Sequence, residues 1–191
     1  MTAADIIETL KTVVPDTSFE VLSTADDALN PTILVPVERL QATCTALRDT
    51  PGLEFVAFSD VTAADFHPDR QPRYDVVYHF VSPHRRTRVR LKVQVNLGDP
   101  VPTVSEIWKG ADWPEREVYD LFGIVFDGHK DLRRLMMPDD WEGHPLRKDY
   151  PVQIRKTAES WAPIQVSAEE FAENIRRQRA RVAEPSPRSH E

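Results

Sequence analysis

Apolar residues recur at helical spacing from the start of the chain, where Ile6, Ile7, Leu10 and Val14 share one face. Thr2 and Asp5 can cap that helix. Two short apolar runs come next, Ser18 to Ser23 and Thr32 to Pro36, parted by Asn30-Pro31, and they predict two strands around a turn. Helical spacing returns from about Val37 to Arg48. Val37, Leu40, Cys44 and Leu47 line one face there, so Cys44 is expected to be a small core residue and not a ligand.

After Pro51-Gly52, three stretches have strand character: Leu53 to Ser59, Arg73 to Ser82 and Thr87 to Asn96. The last alternates, with Val89, Leu91, Val93 and Val95 on one side and Arg88, Arg90, Lys92 and Gln94 on the other. That is the pattern of a sheet with one buried and one wet face. The basic row reads as a solvated face or a guard against edge pairing, with a docking stripe as the alternative. His79 is expected to be packed or exposed and not catalytic.

The order α-β-β-α-β-β-β predicts an α+β fold, a two-layer domain with helices packed on a mixed sheet, its core ending near Asn96. Beyond Pro100 and Pro102, Thr103 with Glu106 has the spacing of a capping box for a short helix carrying Ile107 and Trp108. Asp112, Pro114 and Glu115 at one end and Gly123 at the other frame a helix of about Trp113 to Phe122, on which Arg116 and Asp120 can pair. From Asp127 the periodicity is lost. Pro138, Pro145, Pro151 and Pro163 recur among Trp141, Tyr150 and Trp161, too many large apolar side chains for a free linker. The reading is residues 1–125 as an α+β core with appended helices and residues 126–191 as an extended partner-binding arm. In that arm a short helix starts at Ser167 to Glu170 and runs through Phe171 and Ile175 into Arg176, Arg177, Arg179 and Arg181, and the last residues are disordered.

Composition narrows the function. The 191 residues carry a formal charge of -7, unsuited to a general nucleic-acid binder. Residues 1–128 hold 12 basic and 20 acidic groups, whereas residues 129–191 hold 12 and 11, so the acidity belongs to the first part. Cys44 is the single cysteine, which excludes an internal disulfide and any four-thiolate cluster built from this chain alone. Six scattered glycines form neither a dinucleotide fingerprint nor a phosphate loop, and a self-bound nicotinamide, flavin or nucleotide is not expected. No apolar run approaches the roughly 18 residues of a membrane helix, and the N-terminus lacks the pattern of a signal peptide. The chain is therefore expected to remain in the compartment where it is made.

The stretch Glu115 to Pro138, EREVYDLFGIVFDGHKDLRRLMMP, and then WEGHPLRKDYP from Trp141 to Pro151, closely resemble the hallmark of the thirty-kilodalton subunit of respiratory complex I, the C subunit of bacterial NADH:quinone oxidoreductase. Glu115, Arg116, Glu117, Asp120, Leu121, Phe122, His129, Arg133, Leu135 and Met136 match in type and spacing. Arg134, Trp141, Arg147, Lys148, Asp149 and Tyr150 extend the match as signature or interface positions. Lys130 departs from it, standing where proline is expected. The resemblance covers roughly residues 5–155.

It implies a non-catalytic structural subunit of the peripheral arm, on the cytoplasmic side of a bacterial membrane and not inserted in it. The partners implied are the large quinone-site subunit and the subunit holding the terminal iron-sulfur cluster. FMN and iron-sulfur clusters would sit in partner subunits, with electrons passing from NADH to a quinone such as ubiquinone and protons pumped elsewhere. A homologous subunit of a membrane hydrogenase, a deazaflavin-linked or a ferredoxin-linked complex is the alternative.

Of a different class is a free-standing acid/base enzyme using Glu115, Glu117, Asp120, His129, Asp131, Arg133 and Arg134, but carboxylates at a helix start are ordinary dipole chemistry. His129, His144, Asp139 and Asp140 show no recurring metal-ligand spacing. The expectation carried forward is that Glu115 and Glu117 pair with Arg133, Arg134 and Arg147, tying the helix to the arm or to a partner.

Overall fold

The computed structural model describes residues 2–22 and 30–151, together with Glu169 and Glu173. Two compact units divide the chain, Met1–Pro151 and Val152–Glu191. In the second, Glu169 and Glu173 are helical and exposed. Trp161, Pro163, the remainder of the expected terminal helix and the end expected to be disordered lie outside the described residues, as does Ser23.

The first unit begins with helix α1, Ala3–Val13, capped as expected by a reciprocal Thr2/Asp5 box. Strands β1, Glu20–Leu22, and β2, Thr32–Leu34, come after it. A single turn of 3-10 helix at Val37–Arg39 then leads into α2, Leu40–Asp49. Strands β3, Ala57–Asp65, β4, Tyr74–Ser82, and β5, Thr87–Val95, complete a five-stranded mixed sheet in the order β1-β2-β5-β4-β3. Only β2 and β5 pair in parallel in this sheet, because α2 and the β3–β4 hairpin intervene between them.

One face of the sheet is dry. Ile33, Tyr74, Val76, Tyr78, Phe80, Val89, Leu91, Val93 and Val95 pack there against Ile6 and Leu10 of α1 and Leu40, Cys44 and Leu47 of α2, all buried. Each large side chain so covered contributes roughly 1.5–3 kcal/mol. Cys44 is fully buried within this core, as its position on the apolar stripe predicts.

The strand after Pro51-Gly52 starts later than its apolar residues suggest. Leu53 and Phe55 are buried, but they drop into the core from a loop in which Glu54 has a φ of 51°. The strand proper is the more polar AFSDVTAAD segment, which reads weakly because β3 is an edge strand. β5 lies between β2 and β4, and β2 pairs with it over Arg90 to Lys92, so that part of its basic row guards no edge, whereas Arg88 stands beyond the end of β2.

Past the sheet, β6, Val101–Pro102, pairs in parallel with β7, Phe126–Asp127, and helix α3, Asp112–Phe122, crosses between them. The expected capping box at Thr103 is not formed. Its N–H goes to the Asp127 carbonyl at 2.9 Å, and Glu106 pairs instead with Lys130 and Lys109. A short 3-10 turn, Lys109–Ala111, stands near the expected short helix. α3 ends as its sequence predicts, with Gly123 at φ 74° and its N–H on the Tyr119 carbonyl. The first unit runs to Pro151 and so takes in residues 126–151, which the sequence reading assigned to the arm.

Candidate functional site

The signature residues fall on α3 and on the strap of chain from His129 to Tyr150 that wraps it. Three polar knots hold the strap in place, and all three form from side chains that elementary electrostatics would leave in water.

The first centres on Asp120, fully buried on α3. Its Oδ2 accepts the successive N–H groups of Leu135, Met136 and Met137 at 3.0, 2.7 and 2.8 Å, while Oδ1 takes Arg134 Nη1 at 2.8 Å. Burial pushes its pKa up, but these four donors outweigh burial and hold it below the ordinary carboxylate range. Arg134 also reaches the Gly143 carbonyl. Arg116, expected to pair with Asp120, instead donates to the carbonyls of Arg133 and Arg134 at 3.3 and 3.1 Å, because the strap has taken Asp120's lone pairs.

The second knot joins α3 to the chain flanking both short strands. Glu115, fully buried, accepts the Val104 N–H at 2.7 Å and the Thr103 hydroxyl. With no cation in direct contact, burial dominates and lifts its pKa to about 7. His129, its ring 1% exposed, lies 3.9 Å from that carboxylate but gives its Nε2 proton to Asp112, at 3.1 Å from the carbonyl and 3.0 Å from Oδ1. Its Nδ1 accepts the Asp131 N–H, which fixes the tautomer. So Glu115 and Asp112 serve the strap and the chain after β6 and do not cap α3.

The third knot ties the strap to the sheet. Arg73, in the loop before β4, forks onto buried Asp65 at 2.9 and 2.6 Å and onto Asp149 at 3.0 and 2.7 Å. Asp65 also accepts the N–H groups of Lys148 and His67. Burial opposes ionisation of Asp65, yet the guanidinium and the two N–H donors pull its pKa far down. Arg147 donates to the carbonyls of Phe122 and Gly123, closing the C-terminus of α3.

The expected pairing of Glu115 and Glu117 with Arg133, Arg134 and Arg147 is thus corrected: of these three arginines only Arg134 reaches a helix carboxylate, and that carboxylate is Asp120. Glu117 is exposed, and Arg133, 72% exposed, pairs with Asp131. Leu121 is half-buried and Phe122 buried against the core. Trp141 and Tyr150, expected to bury on a neighbour, stack on each other with ring centroids 6.4 Å apart, and the Tyr150 hydroxyl holds the Glu142 carbonyl. His144 contacts the Asp120 carbonyl and the Tyr119 ring, away from the Asp112 contacts of His129, so the two histidines share no centre. Among the described residues no group of three His, Cys, Asp or Glu is placed to hold a metal ion.

Glu115 and the His129 side chain are both sealed from solvent. What they do is hold chain to chain. Asp65 and Arg73 were missed by sequence reasoning, and Thr103 was read as a helix cap and not as a partner of Glu115. The one signal for the first two was a polar run, DFHPDRQPRYD, longer than a turn between two strands requires.

Similarity to known proteins covers the same segment. The family model described as "Respiratory-chain NADH dehydrogenase, 30 Kd subunit" matches residues 33–156. The first of the C subunits of NADH-quinone oxidoreductase from Rhizobium meliloti (strain 1021) is 44% identical over 146 residues, 72% of each chain. The C subunit of the same oxidoreductase from Roseiflexus sp. (strain RS-1) is 40% identical over 156 residues, 81% of this chain and 87% of the relative. A solved trypsin-resistant fragment (1-134) of Nqo5 is similar at a TM-score of 0.55 and 32% identity, covering 69% of this chain and 100% of that one. Among the described residues no helix is long and apolar enough to cross a membrane.

Proposed function

Because the chain belongs to the family of the 30 kDa subunit of respiratory-chain NADH dehydrogenase, we propose that it is a structural, non-catalytic subunit of the peripheral arm of a proton-translocating NADH:quinone oxidoreductase. It holds no electron carrier and sits on the cytoplasmic side of the membrane without entering it. FMN and iron-sulfur clusters reside in partner subunits, and its neighbours are the large quinone-site subunit and the subunit of the terminal cluster.

The observation that carries this reading is how the family-signature side chains are used. Asp120, Glu115, His129, Arg134 and Arg147 are consumed in intramolecular ties that build a stiff surface and leave none of them free for chemistry. That surface presents Trp113 and Met136, 65% and 63% exposed, the kind of apolar anchor that a neighbouring subunit buries. The single cysteine supports the assignment of clusters to partners.

The test is affinity purification of the tagged chain from detergent-solubilised membranes, with the companions identified by mass spectrometry. NADH-oxidising and iron-sulfur subunits are expected. Recovery with hydrogenase or deazaflavin-linked companions would reassign the complex, and recovery alone would refute the reading.

A further inference from the structure

The hairpin between β4 and β5 ends in Pro83-His84-Arg85-Arg86, closed by the Arg86 N–H on the Pro83 carbonyl. Arg86 has a φ of 51°, a region in which glycine or asparagine is accommodated at lower cost. A long cation stands there instead. His84, Arg85, Arg86 and Arg88 are all exposed, at the end of a hairpin whose strand β4 is paired on both sides and whose strand β5 meets β2 only over Arg90 to Lys92.

Most cations of this unit are spoken for. Arg70 and Lys92 hold Asp75, Arg73 holds Asp65 and Asp149, Arg134 holds Asp120, and Arg116 and Arg133 share Asp131. Lys109 and Lys130 share Glu106. Among the described residues Arg85, Arg86 and Arg88 have no carboxylate within ion-pair distance. A chain with a net charge of -7 thus gathers three such guanidiniums at one hairpin end. Protection of a sheet edge does not account for Arg85 and Arg86, which stand in the turn outside both strands.

We propose that this arginine tip docks onto an acidic surface of a companion protein, an inference that rests on the chain's place in a multi-subunit assembly. Guanidiniums offer forked donors that match carboxylates, and a hydrogen-bonded hairpin holds the backbone that carries them. A nucleic acid is the poorer occupant, because the acidic remainder of the chain repels a long polyphosphate. The docking sets orientation and association rate, and it is salt-sensitive.

The experiment uses the tagged full chain in its own membranes, in three forms: wild type, R85E/R86E/R88E and R85K/R86K/R88K. Each complex is purified, washed at increasing salt and treated with a carbodiimide, which joins an amine only to a carboxylate in contact with it. The lysine form is expected to keep its companions and to yield cross-linked peptides from residues 84–88 to Asp or Glu of one identified companion. The charge-reversed form is expected to retain that companion about tenfold less at moderate salt, with an unchanged thermal melt of the purified chain. Companions recovered without tip cross-links, or undiminished by charge reversal, overturn the inference and leave the proposed function standing. Polyanion retention lost on charge reversal while companions stay points to nucleic acid and also overturns it. A wild-type chain recovered alone sinks the proposed function itself, and this inference with it.

Discussion

Glu115 and Asp120 lie on one helix, both sealed from water, and their surroundings drive their acidities in opposite directions. Asp120 meets three N–H groups and a guanidinium, whereas Glu115 meets one N–H and one hydroxyl. The pH windows separate accordingly. Glu115 titrates near 4.5 unfolded and about 7 folded, so its stabilising contribution is complete below pH 4.5 and is lost as pH rises through 7. The loss is on the order of 3 kcal/mol. The depressed carboxylates Asp65, Asp75 and Asp120 act the other way: their contribution is present above about pH 4 and is lost as pH falls through their lowered pKa values. Burial lowers the pKa of His79 and His144, which act the opposite way in this window, so denaturant unfolding of the purified chain from about pH 4.5 to 7.5 should show wild-type stability falling relative to Glu115→Gln as pH rises; parallel profiles would contradict the assignment. At constant pH, Asp120→Asn should cost about 3 kcal/mol, since it strands buried donors, whereas Arg133→Ala should change stability by less than about 0.5 kcal/mol. Equal effects of the two would show that the strap is not held through Asp120.

At the scale of elements, α3 depends on the strap that packs over its end. Gly123 combines a left-handed φ with close packing: a Cβ there would stand 2.0 Å from Arg147 Nη2 and 2.6 Å from His144. Gly123→Ala should then destabilise by about 2 kcal/mol, more than the helix cap alone explains, and double substitution with Arg147→Ala should recover part of the loss. Thermal melts of the four proteins in that cycle check it, and strict additivity would argue against the contact. α1, α2, α3 and the pair β4 and β5 were legible because their apolar residues recur at periods of about 3.6 or 2 and turn or cap residues mark their ends. β3 was not, since Leu53 and Phe55 enter the core from irregular chain, and an edge strand shows little alternation. The box expected at Thr103 and the ladder expected between Arg116 and Asp120 failed for one reason. Both assume local partners, and residues distant in sequence, Asp127 and Leu135 to Met137, took the hydrogen bonds. The strap was read as an arm because its knots have no period.

The first unit is a sheet domain with a strap that its own carboxylates fasten down. Trypsin acting on the purified chain is expected to leave a resistant core, because the strap is tied to the sheet through Arg73. The Arg73 fork onto Asp149 moves the expected boundary outward, so the dominant fragment should retain Asp149 in spite of exposed Lys130 and Arg133. A fragment ending at Lys130 would show that the strap opens freely.

The central claim is that the signature side chains serve assembly and not turnover. It is tested most directly by NADH:quinone turnover per assembled complex in membranes carrying Glu115→Gln, Asp120→Asn or Arg134→Gln, with assembled complex quantified on native gels. Less complex with wild-type turnover per complex is the predicted result; wild-type amounts of complex with turnover lost would contradict it.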